Sequence, residues 1–389
     1  MLIDIGSTYF KVSTQNKISH FFRDFNKTIY DDLIHKTGDL LQKYNKDDIF
    51  ICSSANGGLS TLIIGLTESF SLKYASNIAY NSGINIIESV LYQHIEDYAI
   101  PSDTIDVVII VGAVNSVENV FDDKLLKYIK QVDYQNIVYV GSSSQNQYLS
   151  DNIDNLQLLG NIMSEKLKLQ EENLKNYLTN LYQEDIMGKE DIKALYDITS
   201  NQIYSTPYIV NRSLPYIDTM LDVVDPFLVI DIGGATTDIH YSTDLVDDNI
   251  LSENEYDRLV FKKLGVYKSR ESLVFTAKNN EFVYELLAHL NTTENILEEY
   301  SDKATAILMQ LAIFLVLYKV SHSHNKYLNI KLQTLNSMVL TGGITKVLSN
   351  NQIEDIVAFF YKKILNYTTY PKIVVDKNYA IWTIGMKQK

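Results

Sequence analysis

A short motif that occurs twice in the 389-residue chain constrains its fold more than any other feature. The segment LIDIGSTYFKVST at 2–14 aligns without a gap on VIDIGGATTDIHY at 229–241. In each copy an apolar, strand-like run ends on an aspartate, Asp4 or Asp231, and a turn of small residues leads into a second strand-like run. Two related hairpins far apart in sequence indicate two related domains that present their turns to a shared cleft.

The residues of both turns suit an anionic phosphate ligand. Glycine tolerates turn geometries that other residues resist, so backbone N–H groups can approach an anion closely. Hydroxyl groups add donors, and a carboxylate at the end of the strand can hold a hydrated Mg²⁺ beside the anion. The residues predicted to bind the phosphates are Gly6, Ser7 and Thr8 in the first copy, and Gly233, Gly234, Thr236 and Thr237 in the second.

Charged side chains complete the predicted site. Asp4 and Asp231 are the predicted metal ligands, mostly through water molecules, and Lys11 is predicted to contact the phosphates as a point charge. Asp238 stands in the second copy where Lys11 stands in the first. Asp238 could orient a water or a metal ligand, or it could cap its strand instead. These four residues are the candidate catalytic residues.

A third glycine-bearing turn follows the strand predicted at 337–340. Gly342 and Gly343 come directly after this strand and precede a predicted helix. A helix N-terminus presents free backbone N–H groups, so this arrangement suits a nucleotide. A simple turn is the alternative interpretation.

Composition narrows the class of protein and of partner. The formal net charge of −14 argues against nucleic acid or an anionic membrane as a main partner. With only four arginines, a phosphate clamp built from several guanidinium groups is not expected. The single cysteine, Cys52, excludes an intramolecular disulfide framework and a cysteine-rich metal site. This cysteine usage indicates a reduced, cytoplasmic compartment.

Hydrophobic patterning predicts neither a signal peptide nor a membrane span. Asp4 and Lys11 interrupt the apolar region at the N-terminus. The most apolar segment, 304–320, contains Gln310 and Lys319, and a buried helix is the predicted structure there.

Between the two hairpins the pattern predicts a parallel sheet. The segments 105–111 and 136–140 are apolar on both faces and are separated by helical patterns, as in a sheet covered on both sides. The segment 67–98 is predicted to be helical with one interruption near 82–83, and a last helix is predicted at 378–387.

The three turns, DIGSTYFK, DIGGATTD and TGGI, occur in an order that resembles the actin-like ATPase superfamily. The resemblance implies an α/β fold of two ribonuclease-H-like domains around a nucleotide cleft, with ATP and Mg²⁺ as ligands and Gly342 and Gly343 in the adenosine motif. The first domain is expected at 1–224, with a helical insertion at about 160–205, and is completed by the C-terminal helix 376–389. The second domain is expected at 225–375.

Four segments are also similar to the glutamate mutase L family, called MutL: DIGGATTDIH at 231–240, CSSANGGLSTLIIGL at 52–66, IVYVGSSS at 137–144, and DKNYAIWTIGM at 376–386. This resemblance implies an accessory, chaperone-like reactivating factor for an adenosylcobalamin-dependent mutase such as glutamate mutase. The implied partners are therefore the mutase subunits. The chain has no cobalamin motif, so cobalamin would enter only through the partner.

An ATP hydrolase that acts as a nucleotide switch is the function these features favour. Two alternatives have other consequences. An ATP-dependent actin-like filament protein would need a self-complementary surface. A small-molecule kinase would need an acidic base beside a substrate pocket.

Overall fold

The computed structural model describes residues 1–15, 17–54, 59–82, 84–115, 120–188, 190–246, 255–322 and 329–388. The chain forms two compact units: unit 1 comprises Met1–Ala55, Ala194–Asp247 and Tyr256–Lys389, and unit 2 comprises Asn56–Lys193 and Asp248–Glu255. Both copies of the hairpin motif lie in unit 1. The predicted domain boundaries stay a prediction, and residues 55–58 of the CSSANGGL segment lie outside the described residues.

The strands are distributed along the whole chain. They are β1 (Leu2–Ile5), β2 (Tyr9–Thr14), β3 (Lys17–Phe22), β4 (Phe50–Ser53), β5 (Ser60–Gly65), β6 (Asn85–Leu91), β7 (Ile105–Val111), β8 (Tyr134–Val140), β9 (Gln157–Leu159), β10 (Tyr204–Ser205), β11 (Phe227–Ile232), β12 (Thr237–Ser242), β13 (Tyr256–Phe261), β14 (Ser337–Gly342) and β15 (Lys372–Val375).

The helices are α1 (Ile29–Leu41), α2 (Lys73–Asn81), α3 (Asp123–Ile129), α4 (Asn146–Asn152), α5 (Glu172–Gly188), α6 (Glu190–Lys193), α7 (Thr206–Ser213), α8 (Arg270–Lys278), α9 (Val283–His289), α10 (Asp302–Ser321), α11 (Ile344–Val347), α12 (Asn350–Lys363) and α13 (Ala380–Lys387). The last of them confirms the helix predicted near the C-terminus.

The two sheets of unit 1 have the same topology. The first has the strand order β3-β2-β1-β4-β10, and the second has the order β13-β12-β11-β14-β15. In both sheets, the first three strands in this order form an antiparallel meander. The last two strands run parallel to the third strand, which is β1 in the first sheet and β11 in the second. The repeated motif is therefore the start of a repeated five-stranded sheet, and the predicted actin-like fold is confirmed.

A buried helix fills the core beside the second sheet. Helix α10 is apolar on all sides, and Phe314 at its centre has no exposed surface. A helix that is apolar all round is buried on all sides. In the described chain α10 is the one helix long and apolar enough to suit a membrane span, and 72% of its apolar stretch is buried inside the structure.

Helix α13 packs closely against α7. A Cβ added to Gly385 of α13 would lie 1.9 Å from the carbonyl oxygen of Ile209 in α7, so a larger residue at 385 could not fit. Trp382 and Ile381 pack into the same buried cluster as Cys52 of β4. This packing fixes the segment before α13, which borders the candidate site.

Unit 2 is built on a parallel sheet with the order β6-β5-β7-β8-β9. The strands predicted at 105–111 and 136–140 are confirmed as β7 and β8. The helix predicted across 67–98 is wrong in its second half, because 85–91 forms strand β6 beside β5. A short apolar run fits a helix or a strand by its pattern alone, and here pairing with β5 decided the outcome.

Candidate nucleotide-binding site

The two hairpins of unit 1 have the same backbone pairing. Asp4 of β1 pairs with Lys11 of β2, and Asp231 of β11 pairs with Asp238 of β12. These are the pairs that the gap-free sequence alignment places in equivalent positions. The hairpins are therefore equivalent residue by residue, and their charged side chains occupy equivalent places.

The turns of the hairpins close with the same hydrogen bond. The N–H of Gly6 donates to the carbonyl of Tyr9, and the N–H of Gly233 donates to the carbonyl of Thr236, both at 2.9 Å. These two N–H groups, which were among the predicted phosphate donors, are used inside the turns. Within the described residues, the backbone N–H groups that lie between the two bonded residues of each turn donate no hydrogen bond, so they are the donors available to a ligand.

The two turns lie side by side. A Cβ added to Gly234 would lie 2.1 Å from Oγ1 of Thr8 and 3.4 Å from Oγ of Ser7. Oγ of Ser7 is itself 3.5 Å from Oγ1 of Thr8. Only glycine fits at 234, and its backbone therefore reaches the two hydroxyls of the opposite turn.

The carboxylate of Asp4 is fully engaged by neighbouring side chains. Its Oδ2 lies 2.8 Å from Nζ of Lys11, and its Oδ1 accepts a hydrogen bond of 2.6 Å from Oγ1 of Thr206. Sγ of Cys52 donates to the same oxygen at 3.5 Å. With 1% of its surface exposed, Asp4 is held rigidly at the base of the site.

Lys11 is the positive charge among several carboxylates. Burial by itself lowers the pKa of Lys11, but the carboxylates of Asp4 and then Asp231 outweigh burial and leave that pKa above its ordinary value. The pKa of Asp231 is raised to about 6, and burial is the largest cause. The charge of Lys11 acts to lower this pKa, whereas Asp238, Asp4 and Asp376 act to raise it. Four aspartates and one lysine therefore act on the same small region.

Asp231 is the carboxylate that remains available to a ligand. It is partly exposed, and within the described ranges no side chain or N–H donates a hydrogen bond to it. A carboxylate that has a raised pKa and several acidic neighbours is suited to bind a hydrated divalent cation, because the cation supplies positive charge that the neighbouring side chains lack. In the described part of the chain no group of three or more acidic, His or Cys side chains is placed to hold a metal.

Asp238 is held from the opposite side. Arg258 of β13 forms a buried ion pair with its Oδ1, and Thr236 donates a hydrogen bond of 2.9 Å to its Oδ2. Thr237, which was predicted to bind phosphate, donates its hydroxyl hydrogen to the carbonyl of Leu264 at 2.9 Å. Both side chains are therefore engaged by groups of the protein itself.

The third turn contacts the second hairpin. Gly342 has a φ of +85°, in the left-handed region that favours glycine, and an added Cβ would lie 2.3 Å from Oδ1 of Asp231. The N–H of Gly343 donates to the carbonyl of Ile232 at 3.1 Å. The structure therefore brings Gly342 against the open carboxylate, while the helix that follows, α11, has only four residues.

Asp376 closes the site beside the third turn. It is 1% exposed and accepts hydrogen bonds from the N–H groups of Ala380 and Ile381 at 2.7 and 3.2 Å, and from Oγ1 of Thr341 at 3.1 Å. Burial raises the pKa of Asp376, and the two helix N–H groups lower it. An acid followed within five residues by a helix start is a capping pattern that could have identified this residue.

Several residues that hold the site were missed by sequence reasoning. Thr206 lies 202 positions from Asp4 in the chain, and nothing local distinguishes it from other threonines. Arg258 has no sequence signal beyond being one of the four arginines of the chain. Its role depends on the pairing of β12 with β13, which sequence patterns did not specify.

Comparison with known proteins places the whole chain in one family. The family described as "MutL protein" matches residues 1–387. A curated relative, protein MutL from Clostridium tetanomorphum, is 23% identical over 270 residues, which is 63% of this chain and 58% of the relative. The match therefore spans less than two thirds of that relative's length.

Two solved structures are similar at low scores. A ROK hexokinase from Thermus thermophilus has a TM-score of 0.25 and 9% identity, covering 50% of this chain and 68% of the hexokinase. A PilM–PilN type IV pilus biogenesis complex has a TM-score of 0.29 and 10% identity, covering 99% of this chain and 94% of the matched chain. The fold is therefore argued from the repeated strand order of unit 1.

Proposed function

The chain belongs to the MutL protein family, and from this premise we propose that it is an ATP-hydrolysing switch that serves an adenosylcobalamin-dependent mutase as an accessory reactivating factor. The observation that carries the ATP site is the contact of Gly234 with Ser7 and Thr8, beside Lys11 and Asp231. Two turns of donors from two related sheets meet there.

The residues divide the work of binding a triphosphate. Free N–H groups of both turns and the hydroxyls of Ser7 and Thr8 would donate to phosphate oxygens. Lys11, fixed by Asp4, would contact a phosphate as a point charge. Asp231 would hold the waters of Mg²⁺, which neutralises phosphate charge when bound.

The balance of charge explains why ATP would need the metal. Asp231 and the three aspartates that act on it carry up to four negative charges, against two positive charges from Lys11 and from Arg258, the ion-pair partner of Asp238. Phosphates that entered this region alone would be repelled at short range. We therefore expect ATP to bind with Mg²⁺ and not without it.

The switch would work because the donors come from two sheets. A triphosphate held by both turns favours their close approach, and loss of the γ-phosphate removes contacts that only the closed arrangement makes. The partner would respond to that change. Cobalamin would belong to the partner, and the compartment would be the cytoplasm.

Calorimetry tests the nucleotide site. ATP with Mg²⁺ is expected to release or absorb measurable heat on titration, whereas ATP with excess EDTA is not. Asp231→Asn should reduce the difference between the two titrations. Absence of heat from ATP with Mg²⁺ would rule out the site.

A second experiment tests the partner separately. ATP turnover is expected to rise when purified mutase subunits carrying damaged cobalamin are added, and the damaged cofactor should then be exchanged. Mass spectrometry should find ADP and phosphate with no phosphorylated small molecule. If turnover ignores every candidate mutase, the partner is wrong although the ATPase stands.

A further inference from the structure

Tyr379 has a strained backbone at the edge of the candidate site. Its φ is +50° and its ψ is 45°, in the left-handed region that residues other than glycine, asparagine and aspartate seldom adopt. This conformation costs about 1–2 kcal/mol. Unlike Leu167, another apolar side chain with positive φ, which is 44% exposed, Tyr379 is 4% exposed.

The surrounding contacts hold the residue in this conformation. The N–H of Tyr379 donates to the carbonyl of Asp376 at 3.2 Å, and the carboxylate of Asp376 binds the first N–H groups of α13. Tyr379 thus lies in the short connection between β15 and α13. Strain that is maintained by such contacts is typical of functional positions.

Two ammonium groups lie close to the ring of Tyr379. Nζ of Lys11 is 4.9 Å from the ring centroid, and Nζ of Lys346 is 5.0 Å from it. The ring of His20 is also in contact, with 4.6 Å between centroids. Burial and then the charges of Lys346 and Lys11 lower the pKa of His20 to about 4, so the imidazole is neutral at pH 7.

An aromatic face is a suitable second neighbour for a phosphate-binding lysine. It attracts the ammonium through its quadrupole within about 6 Å, but it carries no full charge that would compete with a phosphate. A lysine ammonium has three donors on a flexible stem, and Asp4 accepts only one of them. The ring can therefore restrict the stem and leave donors for the ligand.

We infer that Tyr379 is a positioning residue that holds the ammonium of Lys11 against Asp4 in the orientation that meets the phosphates. The expected effect of Tyr379 on ATP binding rests on the proposed function. The contact between Tyr379 and Lys11 does not depend on it. It also ties Lys11, in the first sheet of unit 1, to the connection that leaves the second sheet.

Variants that keep or remove the aromatic face test the inference. Tyr379→Phe keeps the face and should retain most of the affinity for ATP with Mg²⁺. Tyr379→Leu removes the face and should weaken that affinity about 3- to 30-fold, as expected for loss of one cation–π contact. Tyr379→Asn, whose side chain suits the left-handed backbone, should do the same if the leucine variant folds poorly.

A double-variant cycle separates positioning from general damage. In a Lys11→Met background, Tyr379→Leu should change affinity by less than about twofold, because the two residues act as one unit. Equal losses in both backgrounds would overturn the inference. Tyr361→Leu is the matched control: that tyrosine is 2% exposed, and the rings it contacts are Phe360 and Tyr370.

A measurement without nucleotide keeps the inference separate from the proposed function. The rate at which an amine-reactive acylating reagent labels Lys11, followed by mass spectrometry, should rise in Tyr379→Leu, while the rate at exposed Lys303 stays unchanged. An unchanged rate at Lys11 would overturn the inference. If the wild-type protein binds no ATP, the proposed function fails and this rate still decides the question.

Discussion

The two hairpins of unit 1 have the same backbone pairing but carry different charges. In the first, Asp4 faces Lys11 across the strand pair, and the two side chains form an ion pair at 2.8 Å. In the second, Asp231 faces Asp238 across the equivalent pair. The positive charge that neutralises Asp238 comes from Arg258, one strand farther out.

This difference teaches how a repeated element can serve two roles at one site. The first hairpin is internally neutral, so it can present a lysine to a ligand without a large cost of burial. Arg258 of β13 forms an ion pair with Asp238 of the second hairpin, and among the described residues Asp231 has no ion-pair partner on its own strand pair. An acid in that position favours a cation from solution.

Removal of Lys11 should have the largest effect on ATP turnover, because it removes the charge predicted to contact the phosphates and abolishes the neutrality of the first hairpin. Lys11→Met leaves Asp4 buried without its partner, which should lower the free energy of unfolding by about 3 kcal/mol and ATP turnover at least about 100-fold. Urea denaturation and steady-state hydrolysis measure the two effects. The exposed Lys303→Met is the control, and similar losses in both variants would contradict the assignment.

Removal of Arg258 tests the second hairpin in the same way. Arg258→Met leaves the carboxylate of Asp238 unpaired, and the free energy of unfolding should fall by about 3–5 kcal/mol. Adding Asp238→Asn should restore more than half of the loss, because the buried charge is then gone. A double variant no more stable than Arg258→Met alone would show that the pair is not the cause.

Gly342 tests the contact between the third turn and Asp231. Gly342→Ala forces a Cβ into left-handed backbone and toward Oδ1 of Asp231, and it should lower the free energy of unfolding by about 1–3 kcal/mol and weaken ATP affinity. Gly38→Ala in the interior of α1 is the matched control. The nearest atom to its added Cβ is 3.9 Å away, and this variant should be more stable by about 0.5–1 kcal/mol.

The pH dependence of the free energy of unfolding reports the ionisation of the Asp231 carboxyl group. Its folded pKa of about 6 lies above the ordinary value of 3.8, so the folded protein keeps a proton that the unfolded chain releases. Stability from this group is present below about pH 4 and is lost as the pH rises through 6.

Asp231→Asn should therefore be more stable than the wild type by about 1–2 kcal/mol at pH 8 and equally stable at pH 4. This difference is smaller than the full pKa shift would give, because the side chain is partly exposed to solvent. Urea denaturation at several pH values gives the curves, with the exposed Asp39→Asn as control. A parallel offset at every pH would refute the raised pKa. Mg²⁺ with ATP should reduce the difference.

The sequence predicted the parts of the site that are local. Each hairpin is a continuous stretch whose apolar alternation and small-residue turn specify strands and a turn without help from elsewhere. The alignment of the two copies predicted that Asp4 is equivalent to Asp231 and Lys11 to Asp238, whereas the structure showed that each aspartate pairs with the charged residue across its own hairpin. The role predicted for Thr237 depends on the direction of a side chain, and in the structure its hydroxyl binds a backbone carbonyl.

The sequence by itself determined that this chain contains two equivalent hairpins and a third glycine turn, because each is encoded by neighbouring residues. Only the tertiary structure decided which groups hold the carboxylates. Cys52 reaches Asp4 because β4 lies beside β1, and Thr206 reaches it from the start of α7, directly after β10, which pairs with β4. Arg258 reaches Asp238 because β13 pairs with β12. Such contacts join residues far apart in the chain, and they exist only after the sheets have formed.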